Sequence, residues 1–243
     1  MLIINADDWG RSAAETDAAL EAYEKGRITS VSAMVFMADS ERAAKIALER
    51  GIPTGLHINL NEHFSGPDPQ EHLRSNHDRI VRFLNRSRYS QILYSPSLRK
   101  IFPAVFQAQL DEFNRLYKKP PSHFDGHQHM HLCTNMLVAS PIQAGQKVRR
   151  GFSFQRGEKG LFNRAYRALV TRRLRARYRT TDYFFALSQH LPAHRISRIC
   201  TLALQANVEL MTHPVVPSEH AYLHSEHFAL ALREVPKGSY IDL

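Results

Sequence analysis

Short apolar runs recur along this chain, and each one ends in a cluster of polar, chemistry-bearing residues. Leu2-Ile3-Ile4 passes directly into Asn5, Asp7, Asp8 and Gly10. Thr54–Leu60 carries His57 and Asn59, Ser122–Asp125 runs into His127, His129 and His131, and Val208–Met211 is followed by Thr212-His213-Pro214. Runs of this kind, bounded by turn-forming residues, read as buried strands. Ser30–Met37 predicts another, and Phe184-Phe185 predicts a strand or a short buried segment. Helical patterns lie between them, near Ser12–Lys25 with Gly26 as a stop and over Ser40–Arg50 closed by Gly51. Phe102–Lys118 places Phe102, Phe106, Leu110, Phe113 and Tyr117 at helical spacing. Asn135–Gln146 (with Pro141 breaking the pattern), Pro192–Asn207 and Ser225–Arg233 complete the helical set, and residues 61–79 predict a polar loop or lid.

Strands alternating with longer helices predict an α/β fold with a parallel sheet, open or closed into a barrel. With no repeat and no clear linker, residues 1–243 read as a single domain. Active sites in such folds lie at the C-terminal strand ends. Asp7, Asp8, His57, the histidine cluster and His213 are therefore expected to converge on one face.

In an extended segment the side chains of Asp7 and Asp8 point opposite ways, so they are expected to do different jobs. One can bind a metal while the other acts as a base or orients a histidine. His127, His129 and His131 have period two and would share one face of an extended segment. Such a His, His, Asp set suits zinc or a similar divalent ion, magnesium being less natural with two imidazoles. His213 could donate a proton to a leaving group, and Pro214 biases it toward an extended backbone. Glu209 is a charge in an apolar strand and needs a partner, either an arginine across the barrel or a histidine to orient. Trp9 offers a flat wall for a sugar ring, or ordinary packing.

Charge is distributed unevenly. Lysine and arginine outnumber aspartate and glutamate 32 to 23, a net charge of +9, and seven arginines but no acid lie between Arg164 and Arg179. A solvated face accounts for such a stripe, as would an anionic partner. Two cysteines, Cys133 and Cys200, cannot build a disulfide-dense scaffold. No run reaches the roughly 18 apolar residues of a membrane span, and the opening residues lack the basic lead of a signal peptide, so a soluble, cytoplasmic protein is expected.

The motifs Asn5-Ala6-Asp7-Asp8-Trp9-Gly10, Thr29-Ser30, Gly55-Leu56-His57, Pro121–His131, Glu209–Pro214 and Ser239–Leu243 occur in one order along nearly the whole chain. In these the chain resembles the YdjC-like carbohydrate deacetylases, a group that includes chitooligosaccharide deacetylases and hopanoid-biosynthesis-associated relatives. The resemblance implies a distorted, TIM-like (β/α) barrel with parallel strands, like that of polysaccharide deacetylases, and one divalent metal ion, magnesium or zinc. By motif, Asp8, His57 and His127 would be the metal ligands, Asp7 the base for water, and His213 the acid or orienting group. His129 and His131 would line or support the pocket, with Trp9 and Glu209 as further substrate contacts. The implied reaction removes acetyl from N-acetylated amino sugars or short oligosaccharides, in a homodimer. Two departures stand out: His213-Pro214 continues with Val215-Val216 rather than glycine, and residues 147–183 match little of the pattern. That basic region could take a sugar carrying an anionic group. The rival readings are a metal-dependent phosphoesterase on a similar barrel, which needs further metal ligands, and a nucleic-acid-binding protein, for which no binding motif is present.

Overall fold

The first apolar run becomes the central strand β1 (Leu2–Trp9), buried along its whole length. The chain then alternates α1 (Ala13–Glu24), β2 (Ser30–Ala33), α2 (Ser40–Arg50), β3 (Thr54–Ile58), α3 (Glu71–Asn85), α4 (Ile101–Tyr117), β4 (Phe124–Gly126) and α5 (Thr134–Ala139). It continues through α6 (Leu161–Arg177), β5 (Tyr183–Ala186), α7 (Ala193–Ala203), β6 (Val208–Thr212), α8 (Pro217–Leu223), α9 (Glu226–Ala231) and β7 (Lys237–Gly238). The computed structural model describes residues 1–66, 70–153, 161–191 and 193–243, without the side chains of 161–167 and 193–194. Among the described residues, no helix is long and apolar enough to cross a membrane.

The strands pair in parallel in the order β4-β3-β2-β1-β6-β5, with β7 pairing to the start of β1. The sheet curls, and residues 147–153 bridge its two edges. Val148 pairs with Phe124 of β4, Lys147 pairs with Arg179, and the Ser153 N–H donates to the Phe184 carbonyl of β5. The leading part of the basic region 147–183 is thus a stave of the barrel.

Although the strands are buried on both faces, they alternate. Leu2, Ile4, Ala6, Val31, Ala33, Leu56, Ile58, Phe124, Val208 and Leu210 join the main apolar core with the helices. Their neighbours, Asn5, Asp7, Ser30, Ser32, His57, Asp125 and Glu209, are also buried but polar, and hydrogen-bond one another across the inside of the barrel. Period two therefore separates an apolar helix-facing surface from a polar interior.

Helix ends follow local chemistry. Gly51 caps α2 at φ 65, a left-handed position where glycine carries no Cβ penalty. Gly55 serves another need, because a Cβ there would come within 2.3–2.6 Å of the His123 ring, itself stacked on Tyr240 at 3.9 Å.

Four expected elements differ. The second strand ends at Ala33, not Met37; Phe36 is left-handed, and Met34 and Met37 form a small apolar cluster with Phe64. Apolar content there serves a loop. The polar stretch 61–79 contains the start of α3, whose buried face is His77, Ile80, Val81 and Leu84; residues 67–69 lie outside the description. The helix expected over Asn135–Gln146 stops at Ala139, where Ser140 turns left-handed at φ 46. The helix expected over Pro192–Asn207 ends at Ala203, and Pro192 itself lies outside the described residues.

His77 stacks on Phe64 at 3.7 Å and its Nε2 bonds the Asn59 carbonyl oxygen at 3.1 Å. Burial pushes its pKa down from 6.5 to about 4, only partly opposed by that bond. The unfolded chain takes up the proton first, so stability is full above pH 6.5 and falls as pH drops toward 4, by up to about 3 kcal/mol. In His77→Phe this part of the pH slope should vanish from urea unfolding curves; an unchanged slope between these pH values would contradict the assignment.

Candidate active site

Asp7 and Asp8 meet the same histidine, contrary to the expectation for a regular strand. Between Ala6 and Trp9 β1 advances three residues while β2 advances two, from Val31 to Ala33, so β1 carries a bulge. Asp8 sits in it at φ 66. As a result Asp8 Oδ1 lies 3.3 Å from His57 Nε2 and Asp7 Oδ2 lies 4.0 Å from the same atom. Bulges re-aim side chains at strand ends, which is the effect here.

The bulge also moves Trp9. In a regular strand Trp9 would share the interior face with Asn5 and Asp7. Shifted by one residue, it pairs with Ala33, joins the core under the helices and donates its indole N–H to the Ala43 carbonyl. Its side chain is fully buried, so the wall expected for a sugar ring is not available.

Three donors converge at the strand ends. Asp8 Oδ1 is 2.9 Å from His127 Nδ1, and Asp8, His57 and His127 each offer an atom within 4.8 Å of the other two. The far nitrogen of His57 bonds Asp125 Oδ1 at 2.8 Å, which fixes the ring. His127 Nε2 lies 3.1 Å from Glu62, which is also held by Arg11 Nε at 3.0 Å. Burial works against an imidazolium at His57, but the carboxylates of Asp125 and Asp7 outweigh it and push the pKa up to about 10. Burial likewise opposes ionised Asp8, yet hydrogen bonds from His127 and His57 hold it well below the usual carboxylate range.

The histidine run does not form one face of a strand. β4 ends at Gly126, and Gln128 and His129 are left-handed at φ 49 and 60 within a 3-10 turn. The three rings therefore separate. His127 turns to Asp8, and His131 bonds the Arg149 carbonyl at 3.1 Å through Nε2. His129 packs edge-on against Phe152 and Phe184 at 4.5 and 5.6 Å. Burial keeps the latter two neutral, at about 4 for His131 and about 3 for His129.

At the centre of the barrel stands Arg149, on the stave that closes it and fully buried. Its NH1 and NH2 donate to both oxygens of Asp7 at 2.7 Å, NH2 reaches Asp125 Oδ2 at 2.8 Å, and Nε reaches Glu209 Oε1 at 2.8 Å. Glu209 also accepts from the Tyr240 hydroxyl. The partner Glu209 needs is thus an arginine, and its full burial between Arg149 and Tyr240 takes it away from substrate. Burial alone would raise Asp7; Arg149 and His57 more than reverse that and lower it. At Glu209 burial prevails and the pKa is raised. Asn5 donates to Asp7 Oδ1, and Ser32 ties Asn5, Asp125 and His123 together.

The donor set fits a divalent cation. Asp7, Asp8, Asp125 and Glu209 are four buried carboxyls around one arginine and the His57 imidazole, and two imidazoles with one carboxylate are the ligands that zinc-type ions prefer. Asp7, His57 and Asp125 form a second such grouping, but the Arg149 guanidinium already sits on both carboxylates. The extra metals that the phosphoesterase reading requires would have to displace it.

His213 follows β6, whose register with β1 ends at Ala6 opposite Thr212, so His213 and Asp7 lie at the same end of the β1–β6 ladder. Its N–H donates to Glu219 Oε2 at 2.8 Å, as does the Thr212 hydroxyl at 2.7 Å. In the basic stripe, Arg173 and Arg177 donate to the carbonyls of Leu137 and Ser140, and Arg179 to Leu243. These exposed side chains tie down neighbouring loops, while the side chains of Arg164 and Arg167 lie outside the description.

Sequence reasoning missed Arg149, Asp125, Glu62 and Glu219. For Arg149 a signal existed, since buried Glu209 demanded a cation.

Comparison with known proteins places these features in a wider group. A family model described as YdjC-like protein matches residues 1–236. A carbohydrate deacetylase of Mus musculus is 32% identical over 254 residues, covering 89% of this chain and 78% of that protein. The human carbohydrate deacetylase is also 32% identical, covering 89% and 75%. A chitooligosaccharide deacetylase of Serratia marcescens is 33% identical over 54% of this chain and 51% of its own. In fold, a solved Enterococcus faecalis V583 protein named for cellobiose-phosphate cleavage superposes with a TM-score of 0.69 at 18% identity, over 99% of this chain and 97% of that one.

Arg149→Met should cost roughly 3–5 kcal/mol of stability, because it strands buried carboxylates. Arg149→Lys should recover little, since an ammonium cannot reproduce the forked contacts. Unfolding free energies from urea titration within about 1 kcal/mol of wild type for both variants would refute this.

Proposed function

The chain belongs to the YdjC-like family, and on that footing we propose that it hydrolyses the N-acetyl group of an amino sugar or short oligosaccharide, releasing acetate. The observation that carries this reading is the convergence of Asp8, His57 and His127 beside an arginine-held Asp7 at the strand ends. The names of the mouse, human and Serratia marcescens relatives supply the substrate class.

Asp8, His57 and His127 would hold one divalent ion, which supplies a Lewis acid for the amide carbonyl and for the attacking water. Asp125 keeps His57 in a single ring orientation by bonding its far nitrogen, as such outer partners do for metal-bound histidines. Asp7 takes the proton as the water oxygen bonds to the acetyl carbon. Arg149 holds that carboxylate in one orientation and keeps it ionised. His213 delivers a proton to the sugar nitrogen as the C–N bond breaks, leaving acetate and a free amine. Glu219 fixes the His213 backbone for that transfer. His129 and His131, kept neutral by burial, support the wall beside Arg149.

Acetate release should be measured on N-acetylglucosamine and its β-linked dimer and trimer, after chelation and after return of zinc, magnesium, manganese, cobalt or nickel. Release should depend on the returned metal and fall by about 10²–10⁴ in Asp7→Asn, the range for a lost general base, with a comparable loss in His127→Ala. Metal-independent release, or full activity in Asp7→Asn, would overturn the mechanism.

A further inference from the structure

Helices α1 and α8 follow β1 and β6, which are neighbours in the sheet, and they meet where His220 approaches Glu21. Their contact brings together Glu21, near the end of α1, His220 of α8, and His224, which caps α8. Glu21 is eight residues beyond the start of α1 at Ala13, about 12 Å down the helix axis from the strand-end face. This cluster is therefore separate from the Asp8–His57–His127 set.

Its geometry is that of a ligand set. His220 Nε2 lies 3.3 Å from Glu21 Oε2, and the two imidazoles are 4.4 Å apart, tilted by 47°. One ligand atom from each of the three residues lies within 4.8 Å of the others. His224 Nε2 is buried and has no hydrogen-bond partner among the described residues. A buried ring nitrogen without a partner is costly, and a metal at this point would satisfy it. Histidines four apart lie on one helical face, and two imidazoles with one carboxylate are a zinc-type set whose fourth position is left to water.

We propose that Glu21, His220 and His224 form a second divalent-metal site, of zinc type, which clamps α8 onto α1. Lys25 does not compete for it, because its ammonium pairs with Glu21 Oε1 at 2.6 Å while Oε2 faces His220. The clamp closes on the helix whose Glu219, next to His220, holds the His213 backbone. None of its ligands takes part in the proposed hydrolysis, and the side chains of Glu21 and His220 are 44% and 41% exposed, so replacing them should leave the fold intact.

Zinc alone, added to metal-stripped full-length protein, tests this. The wild type should bind two equivalents and His220→Gln/His224→Gln one. His57→Gln/His127→Gln should keep one equivalent and a zinc-dependent rise in thermal midpoint, and adding Glu21→Gln/His220→Gln should abolish both. Cobalt(II) in the barrel-site variant should show the visible absorption of tetrahedral coordination. Equal zinc stoichiometry in the wild type and His220→Gln/His224→Gln would overturn the proposal. A wild type that binds a single equivalent, lost only in the outer-site variant, would support the clamp and count against the barrel metal.

Discussion

One guanidinium holds the interior of this barrel together. Arg149 spans carboxylates from β1, β4 and β6, the strands at the centre, one edge and the other half of the sheet. Buried carboxylates are tolerable only when they are paired, and a flat fork with five donors can serve several at once where a point charge cannot. The rest of the polar interior is organised around that pairing. Asp125, fixed by Arg149, aligns His57, and Asp7, held by the same group, stands 4.0 Å from the imidazole that the proposed metal would share with Asp8. Stability and the geometry of the proposed active site therefore draw on the same contacts, and substitutions in this network are expected to affect both.

Much of this was legible in the sequence. Apolar runs ending in Asp, His and Thr-His marked the C-terminal rims of β1, β3 and β6, and the donors Asp8, His57 and His127 do meet there. What was not legible depended on backbone conformation. The histidine run at 127, 129 and 131 has strand spacing, yet its strand stops at Gly126 and left-handed residues divide the rings among three neighbourhoods. Trp9 was misplaced for a related reason, since a one-residue bulge leaves no mark in composition but reverses the face of every residue beyond it. The closing stave was hidden too. Residues 147–149 make only isolated bridges, with Phe124 and Arg179, and are too short to show a period. Helix α3 was obscured because Leu73 is the one apolar side chain of its charged first turns and its fully buried positions begin only at His77.

The chemistry of the interior also explains the strand sequences. Helix-facing positions are mostly apolar, with Thr54 and Thr212 as polar members and Thr212 bonded to Glu219 of α8, whereas interior positions carry serine, asparagine, histidine and carboxylates. A small barrel filled with aliphatic side chains would be simpler to pack. Here the interior is a hydrogen-bonded network in which Ser32 alone links Asn5, His123 and Asp125. Networks of this kind specify a single arrangement when every member is satisfied.

The position of Arg149 on the stave between β4 and β5 has a consequence for how the chain folds. Its contacts with Asp7 reach across 142 residues of sequence, and those with Glu209 across 60. Until that stave docks, Glu209 lacks its guanidinium partner and Asp7 and Asp125 rely on His57, so a half-closed sheet is electrostatically disfavoured as well as unsealed. Contacts this distant in sequence form late, after the local helix–strand units have collapsed. Ring closure and charge neutralisation are thereby linked, since the one residue that neutralises the interior sits on the segment that closes the ring.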